Sequence, residues 1–371
     1  MKTILPYQTI GIIGGGQLGR MMCLAAKAMG YKVAVLDPTP DCPCGQVADI
    51  EITAKYNDLE AIKKLADISD VITYEFENID YDTLTWLEKN AYLPQGSRVL
   101  KVNQHRFLEK TTISEMGIRV ADFKLIESPG DLEHITYPSV IKTTMGGYDG
   151  KGQIVLRSEA DLPKAKKLAA QSECILEKFM PFTKEISVLV ARSTTGEVSV
   201  FPVSENIHVN NILHQSIVPA RISPDVEREA IECAKTIAEN LGSIGILAIE
   251  MFVVDDSIVV NEIAPRPHNS GHYTIDACTT SQFEQHIRAV CGLPLGATAL
   301  HTPVVMVNIL GDHMDKQNMH NLAPYIPLLP DGKIHLYGKA QAVDKRKMGH
   351  INILGDIDKT LKDIDAARIW K

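Results

Sequence analysis

The chain opens on alternating hydrophobic periods. An apolar run over residues 10–13 leads into Gly14-Gly15-Gly16-Gln17-Leu18-Gly19-Arg20, after which Met22, Leu24, Ala25, Ala28 and Met29 recur at helical spacing. Gly30 stops that helix, residues 31–36 read as a second buried strand, and Asp37-Pro38 closes it. Residues 59–66 are helical in pattern and 71–76 read as a third strand. Strands alternating with helices predict a parallel sheet covered on both faces, spanning residues 1–103.

Beyond Asn103 the pattern changes. Residues 107–116 read as a helix ended by Gly117, and shorter strands follow at 139–142, 153–156, 174–177 and 185–191. A helix over 223–241 is signalled by Ser223 as N-cap, Pro224 at its first position and Gly242 just past its end. Two strands flank Asp255-Asp256-Ser257, which predicts a hairpin with those three residues as its loop. A further helix is expected over 282–290, then strands at 304–310, 334–337 and 350–353. The chain has no internal repeat and no low-complexity linker, so its parts are expected to pack tightly on one another.

At 371 residues the chain exceeds one ordinary core and should divide into two or three domains. Its 45% hydrophobic and 23% charged residues fit a soluble globular protein. A net charge of −8 argues against a general nucleic-acid binder. The first ten residues make a poor signal peptide, and no apolar run approaches a membrane span. The 7 cysteines are scattered, and Cys42-Pro43-Cys44, the one close pair, has no second pair to complete a zinc spacing. They read as reduced thiols of a cytoplasmic protein.

Four constellations carry chemistry. Gly14-x-Gly16-x-x-Gly19 fits a dinucleotide fingerprint, with Asp37 about 20 residues on where a ribose-binding acid belongs. The same glycines serve equally to open a helix N-terminus toward another anion, and no hydride-transfer site follows them. The second is Lys142-Thr143-Thr144-Met145-Gly146-Gly147-Tyr148-Asp149-Gly150-Lys151-Gly152-Gln153, whose backbone N–H groups and lysines suit polyphosphate. It lacks the ending of a Walker loop.

The third is a pair of carboxylates. Counting back from the predicted hairpin places Glu250 opposite Glu262, with Cβ atoms about 5 Å apart on one sheet face. Like charges among apolar neighbours favour a cation between them over a solvated acidic pair, and Mg²⁺ with nucleotide phosphates fits, Asn261 or Asn269 adding an oxygen. Last comes the basic turn over 339–347, which reads either as a solvated turn or, with Arg266 and His268, as a phosphate pocket. No Ser, His and Cys arrangement suggests a nucleophile triad. These features favour an ATP-dependent ligase over a dehydrogenase or a nucleotide-sensing protein without turnover.

The chain closely resembles the 5-(carboxyamino)imidazole ribonucleotide synthetases, an ATP-grasp family of bacterial and fungal purine synthesis. The resemblance rests on Gly14-Gly15-Gly16-Gln17-Leu18-Gly19, Thr73-Tyr74-Glu75-Phe76-Glu77-Asn78, the 146–152 loop, Asn261-Glu262-Ile263-Ala264-Pro265-Arg266-Pro267-His268-Asn269-Ser270-Gly271-His272 and Arg346-Lys347-Met348-Gly349-His350. It implies a fold of α/β and α+β parts: a Rossmann-like pre-ATP-grasp domain (1–103), a lid (104–180), and a large α+β domain with a β-rich C-terminal segment (181–371). It further implies that ATP phosphorylates bicarbonate to carboxyphosphate, which carboxylates the exocyclic amine of 5-aminoimidazole ribonucleotide. Another ATP-grasp carboxylase or a formate-dependent transformylase is the alternative.

On that resemblance Arg106, Lys142, the loop residues Gly147, Tyr148, Asp149, Gly150, Lys151, Gly152 and Gln153, the segment Glu177, Lys178, Phe179 and Met180, and Asn261 hold ATP. Glu185 takes its ribose, with His208 preferred to His214 beside the nucleotide. Glu250 and Glu262 hold Mg²⁺, or Mn²⁺. Gln17, Leu18, Glu75, Arg266, His268, Asn269, Lys339 and Arg346 hold the ribonucleotide. Asp149 is the candidate for proton transfer, with Tyr148, Lys151 and Arg266 at the reacting centre. In place of the family's frequent Pro-Gly before the arginine of the last motif, this chain has Asp344-Lys345. The resemblance also implies a homodimer.

Overall fold

Strand Thr9–Ile13 ends at Gly14, whose φ of 102° turns the chain directly into helix Gln17–Ala28. The computed structural model describes residues 2–147, 152–314 and 322–367. Strands Ile50–Thr53, Lys32–Asp37, Thr9–Ile13 and Val71–Tyr74 lie in that order in a four-stranded parallel sheet. One face is covered by helices Leu59–Asp67 and Tyr81–Asn90 through Ile62, Leu65, Leu84 and Leu87. On the other face, Leu18, Met21 and Met22 of helix Gln17–Ala28 pack with Phe283, Ile287 and Val290 of helix Gln282–Val290. The expected tight packing between distant parts of the chain is therefore a continuous apolar core.

Residues 123–178 form a separate four-stranded antiparallel sheet in the order Phe123–Ile126, Cys174–Lys178, Ser139–Thr143 and Gln153–Leu156. The third sheet has nine strands among the described residues, one of which, Val198–Val200, pairs with Lys184–Arg192 off the main order. Ser257–Ala264 is its edge, followed by Gly245–Val254, Lys184–Arg192, Ser204–Val209 and Ile212–Val218, then Val304–Leu310, Lys347–Leu354 and Gly332–Leu336. The C-terminal strands thus extend the same sheet rather than forming their own layer. Helix Pro224–Leu241 buries Val226, Ala230, Ala234 and Ile237 against it. Its ends are as the sequence predicts: the Ser223 side chain accepts from Val226 N, and Gly242 adopts a φ of 64°.

The hairpin differs from expectation. Val254 pairs with Ser257, so the loop is the two residues Asp255 and Asp256, with φ of 50° and 56°. Two positive φ values mark the turn whose twist matches that of the strands it joins. The pairing then slips by one residue between Glu250 and Met251, which restores Glu250 opposite Glu262.

Candidate functional site

The glycine turn at residues 14–19 is built around two acids. Gly15 N donates to Asp37 Oδ2 at 2.8 Å, and Tyr56 Oη donates to the same oxygen at 2.8 Å. Asp37 is thereby occupied with the turn itself, which removes the ribose role that the fingerprint suggested. Gly16 N donates to Glu75 Oε1 at 2.6 Å. A Cβ at Gly16 would lie 2.8 Å from that oxygen, so glycine is what lets the carboxylate close on the backbone. Burial pushes the Glu75 carboxyl up to about 7, although the Gly16 N–H and the charges of Arg266 and Lys339 pull it down. Leu18 lies in the first turn of the helix that leaves the glycine turn. Its side chain belongs to the apolar core, leaving only its backbone to face a ligand.

Two distant motifs meet beside this turn. Arg266 Nη2 lies 2.5 Å from Glu77 Oε1, and Gln95 Nε2 donates to Pro265 O at 3.2 Å. Gln95 also accepts from Thr73 Oγ1, so the 73–78 and 265–268 segments are fastened by one buried amide. Gln46 Nε2 donates to Gly338 O at 2.8 Å, which brings the turn bearing Lys339 against the N-terminal domain. Lys339 Nζ donates to Lys347 O at 2.6 Å. Arg346 Nη1 donates to Gln341 O at 3.4 Å, and Lys345 takes a φ of 65°, a conformation that favours glycine.

The carboxylate pair stands at the junction of two groups of cations. His268 Nε2 approaches Glu250 Oε1 at 3.1 Å, and Arg106 Nη1 donates to Glu262 Oε2 at 2.9 Å. Burial raises the Glu250 carboxyl, but the bond and charge of His268 hold it well below the usual range. Next to Glu262 in the chain, Asn261 Oδ1 is buried without a hydrogen-bond partner among the described residues. Glu185, Asn206, Glu250 and Asn261 line one cleft, and His208 Nδ1 pairs with Glu185. Burial lowers the His208 imidazole, and Glu185 more than reverses it. Asn269 is buried with neither amide atom partnered among the described residues, as a side chain awaiting a ligand would be.

On the nucleotide side, Lys142 Nζ donates to Glu177 Oε2 at 3.1 Å, and Arg106 Nη2 donates to Gly147 O at 2.9 Å. Burial raises the Glu177 carboxyl, yet Lys110 and Lys142 hold it at about 2. Gly152 has a φ of 73° and pairs through its carbonyl with Thr143 N, next to Gln153, which opposes Lys142. Lys178 and Phe179 are exposed just beyond, with Met180 half-buried. Tyr148, Asp149, Gly150 and Lys151 lie outside the described residues. The structure adds two residues that the sequence reading passed over, Glu109 and Lys110, buried beneath Glu262, and it places Lys347 of the basic turn where its charge bears on Glu250 and His208. For Lys347 the basic turn was the available signal; for the other two there was none.

An oxygen-rich site of two carboxylates and an orphaned amide oxygen suits a hard divalent cation. Family models match along the chain: a ribonucleotide synthetase preATP-grasp domain at residues 7–104, an ATP-grasp domain at 111–283, and a phosphoribosylaminoimidazole carboxylase C-terminal domain at 304–363. The N5-carboxyaminoimidazole ribonucleotide synthase of Bacillus subtilis is 55% identical over 359 residues, 95% of this chain and 93% of that protein. The crystal structure of an N5-carboxyaminoimidazole ribonucleotide synthetase in complex with ADP matches with a TM-score of 0.96 at 60% identity, over 100% of this chain and 98% of that one. The Aspergillus clavatus N5-carboxyaminoimidazole synthase, crystallised with ADP and 5-aminoimidazole ribonucleotide, matches with a TM-score of 0.91 at 30% identity over 98% of both chains.

Proposed function

Because the chain belongs to the N5-carboxyaminoimidazole ribonucleotide synthase family of ATP-grasp ligases, we propose how its residues divide the work of that reaction. The enzyme carboxylates 5-aminoimidazole ribonucleotide to its N5-carboxy derivative at the expense of ATP, in purine biosynthesis. One observation carries the division: Glu250 and Glu262 face each other, one held by His268 from the ribonucleotide side and the other by Arg106 from the nucleotide side.

ATP lies along Arg106, Lys142, the 147–153 loop and the segment 177–180, with its ribose at Glu185 and His208. Glu250, Glu262 and Asn261 hold Mg²⁺, which when bound neutralises phosphate charge during phosphoryl transfer. Lys142 and Arg106 add fixed positive charge, which a largely dissociative transfer to bicarbonate needs more than covalent help. The ribonucleotide sits at the glycine turn: Gln17, Glu75 and the Leu18 backbone toward its ring and ribose, Arg266, His268, Asn269, Lys339 and Arg346 toward its charged end. The loop over 146–152 closes over carboxyphosphate and keeps water from it. Asp149 removes the proton of the attacking amine, with Tyr148, Lys151 and Arg266 around the reacting atoms.

The division of the chain into parts at residues 103 and 180, a homodimer and a cytoplasmic location belong to the same proposal. All seven cysteines are free and buried, which suits a reducing compartment. No helix among the described residues is long and apolar enough to cross a membrane.

A pair of variants tests the assignment. Glu262→Gln should raise the Mg²⁺ concentration for half-maximal activity by about tenfold or more. Asp149→Ala should bind ADP normally and form no product. An unchanged metal requirement in the first, or near-normal product in the second, contradicts the corresponding role.

A further inference from the structure

We infer that Glu109 and Lys110 are positioning residues: they hold the bulged edge strand that carries Glu262 and tie it to the phosphate-side lysine, Lys142, without touching substrate. The inference rests on the assignment of Glu250 and Glu262 to a divalent cation. Ser257–Ala264 is the edge of the nine-stranded sheet. Met251 opposes Val260 while Glu250 opposes Glu262, so Asn261 is the extra residue of a bulge. An edge strand lacks partners on one side, and a bulge interrupts its ladder on the other. The strand that must aim a metal carboxylate is therefore the one its sheet holds least.

Residues 103–120 make up the loss. Val260 N donates to Arg119 O at 2.9 Å, and Lys110 Nζ donates to Asn261 O at 2.7 Å. Ile263 N donates to Glu109 Oε1 at 2.8 Å, and Asn103 Nδ2 donates to Ile263 O at 2.5 Å. The bulge carbonyl and the amide after Glu262 are thus each held by a side chain of helix Arg106–Glu115, whose first residue binds the Glu262 carboxylate itself.

Glu109 and Lys110 are both 3% exposed. Buried charge is a poor stabiliser, and apolar side chains would fill such a space at lower cost, so packing does not explain this choice. The second contact of Lys110 does. Its Nζ lies 3.5 Å from Glu177 Oε2, the oxygen that Lys142 Nζ binds at 3.1 Å. A continuous chain runs from the bulge carbonyl through Lys110 and Glu177 to Lys142. It fixes the spacing between the metal carboxylate and the cation for the phosphates.

The test compares Lys110→Met, Lys110→Met/Glu109→Gln and Glu262→Gln with the parent enzyme. Mn²⁺ binding to each ADP complex is followed by electron paramagnetic resonance, and ADP binding in EDTA by calorimetry. Loss of one positive charge near a cation site should tighten Mn²⁺ binding if electrostatics alone acted. Positioning predicts the opposite sign: Mn²⁺ affinity about tenfold weaker in both Lys110 variants, with metal-free ADP affinity of the double variant unchanged. Should the single variant fail to fold, the double variant, which also neutralises the adjacent buried carboxyl, carries the comparison. Mn²⁺ binding unchanged or tightened, or a parallel loss of metal-free ADP binding, overturns the inference. If Glu262→Gln also binds Mn²⁺ normally, the metal assignment falls and this inference with it.

Discussion

At Glu75 burial and the neighbouring charges act on one carboxyl in opposite directions, and burial prevails. Its value rises from 4.5 to about 7 in the folded protein. Between those values the unfolded chain has released this proton and the folded chain has not, so the contribution of Glu75 to stability falls as pH rises and levels off above 7. Glu75→Gln keeps an oxygen for Gly16 N and abolishes the titration. Urea unfolding should show the variant gaining on the parent between pH 5 and pH 8, by up to about 3 kcal/mol. Equal differences at both pH values would contradict the raised value. At this scale the sequence was legible where a residue belongs to a motif, as with Glu75, Arg266 and His268. It left Asp37 open, because an acid at that spacing can close on its own glycine turn as readily as on a ribose. Glu109 and Lys110 were invisible for another reason: an acid next to a lysine on a helix reads as solvated surface, and only the strand packed against it makes the pair buried.

The hairpin Gly245–Val254 and Ser257–Ala264 shows what element patterns contain and omit. The expected loop was one residue too long and the expected ladder had no bulge. These two differences cancel, so Glu250 and Glu262 face each other as predicted, by a path that alternation alone could not specify. Bulges are invisible to a period-of-two reading, since they arise from what the opposite edge of the strand must meet. Asp255 and Asp256 both carry positive φ, which costs an aspartate more than a glycine. Asp256→Gly should therefore raise stability by roughly 0.5 kcal/mol, seen as a higher thermal midpoint. A lower midpoint would mean that the aspartate side chain contributes more than its backbone strain removes. The long helix Pro224–Leu241 was readable end to end because its caps are local. The strand Ile50–Thr53, four residues with only Ile52 buried, was not.

At the scale of the whole molecule, the apolar core joining helices Gln17–Ala28 and Gln282–Val290 sets the first domain against the large sheet. That docking lets Glu77 reach Arg266 and Gln46 reach Gly338, and so assembles the proposed ribonucleotide site from residues more than half the chain apart. The proposed nucleotide site lies where the small antiparallel sheet meets the edge of the large one, through Arg106, Lys142 and Glu177. The motifs were legible in the sequence; their convergence depends on apolar contacts between distant segments, which no local pattern encodes. The two sites share the Glu250 and Glu262 pair, so turnover of one substrate should depend on the other. The most direct test is phosphate release from Mg²⁺–ATP and bicarbonate, with and without 5-aminoimidazole ribonucleotide. Strong stimulation by the ribonucleotide, with one carboxylated product formed per phosphate, is the predicted result. Phosphate release at the same rate without it, or none with it, would contradict the account.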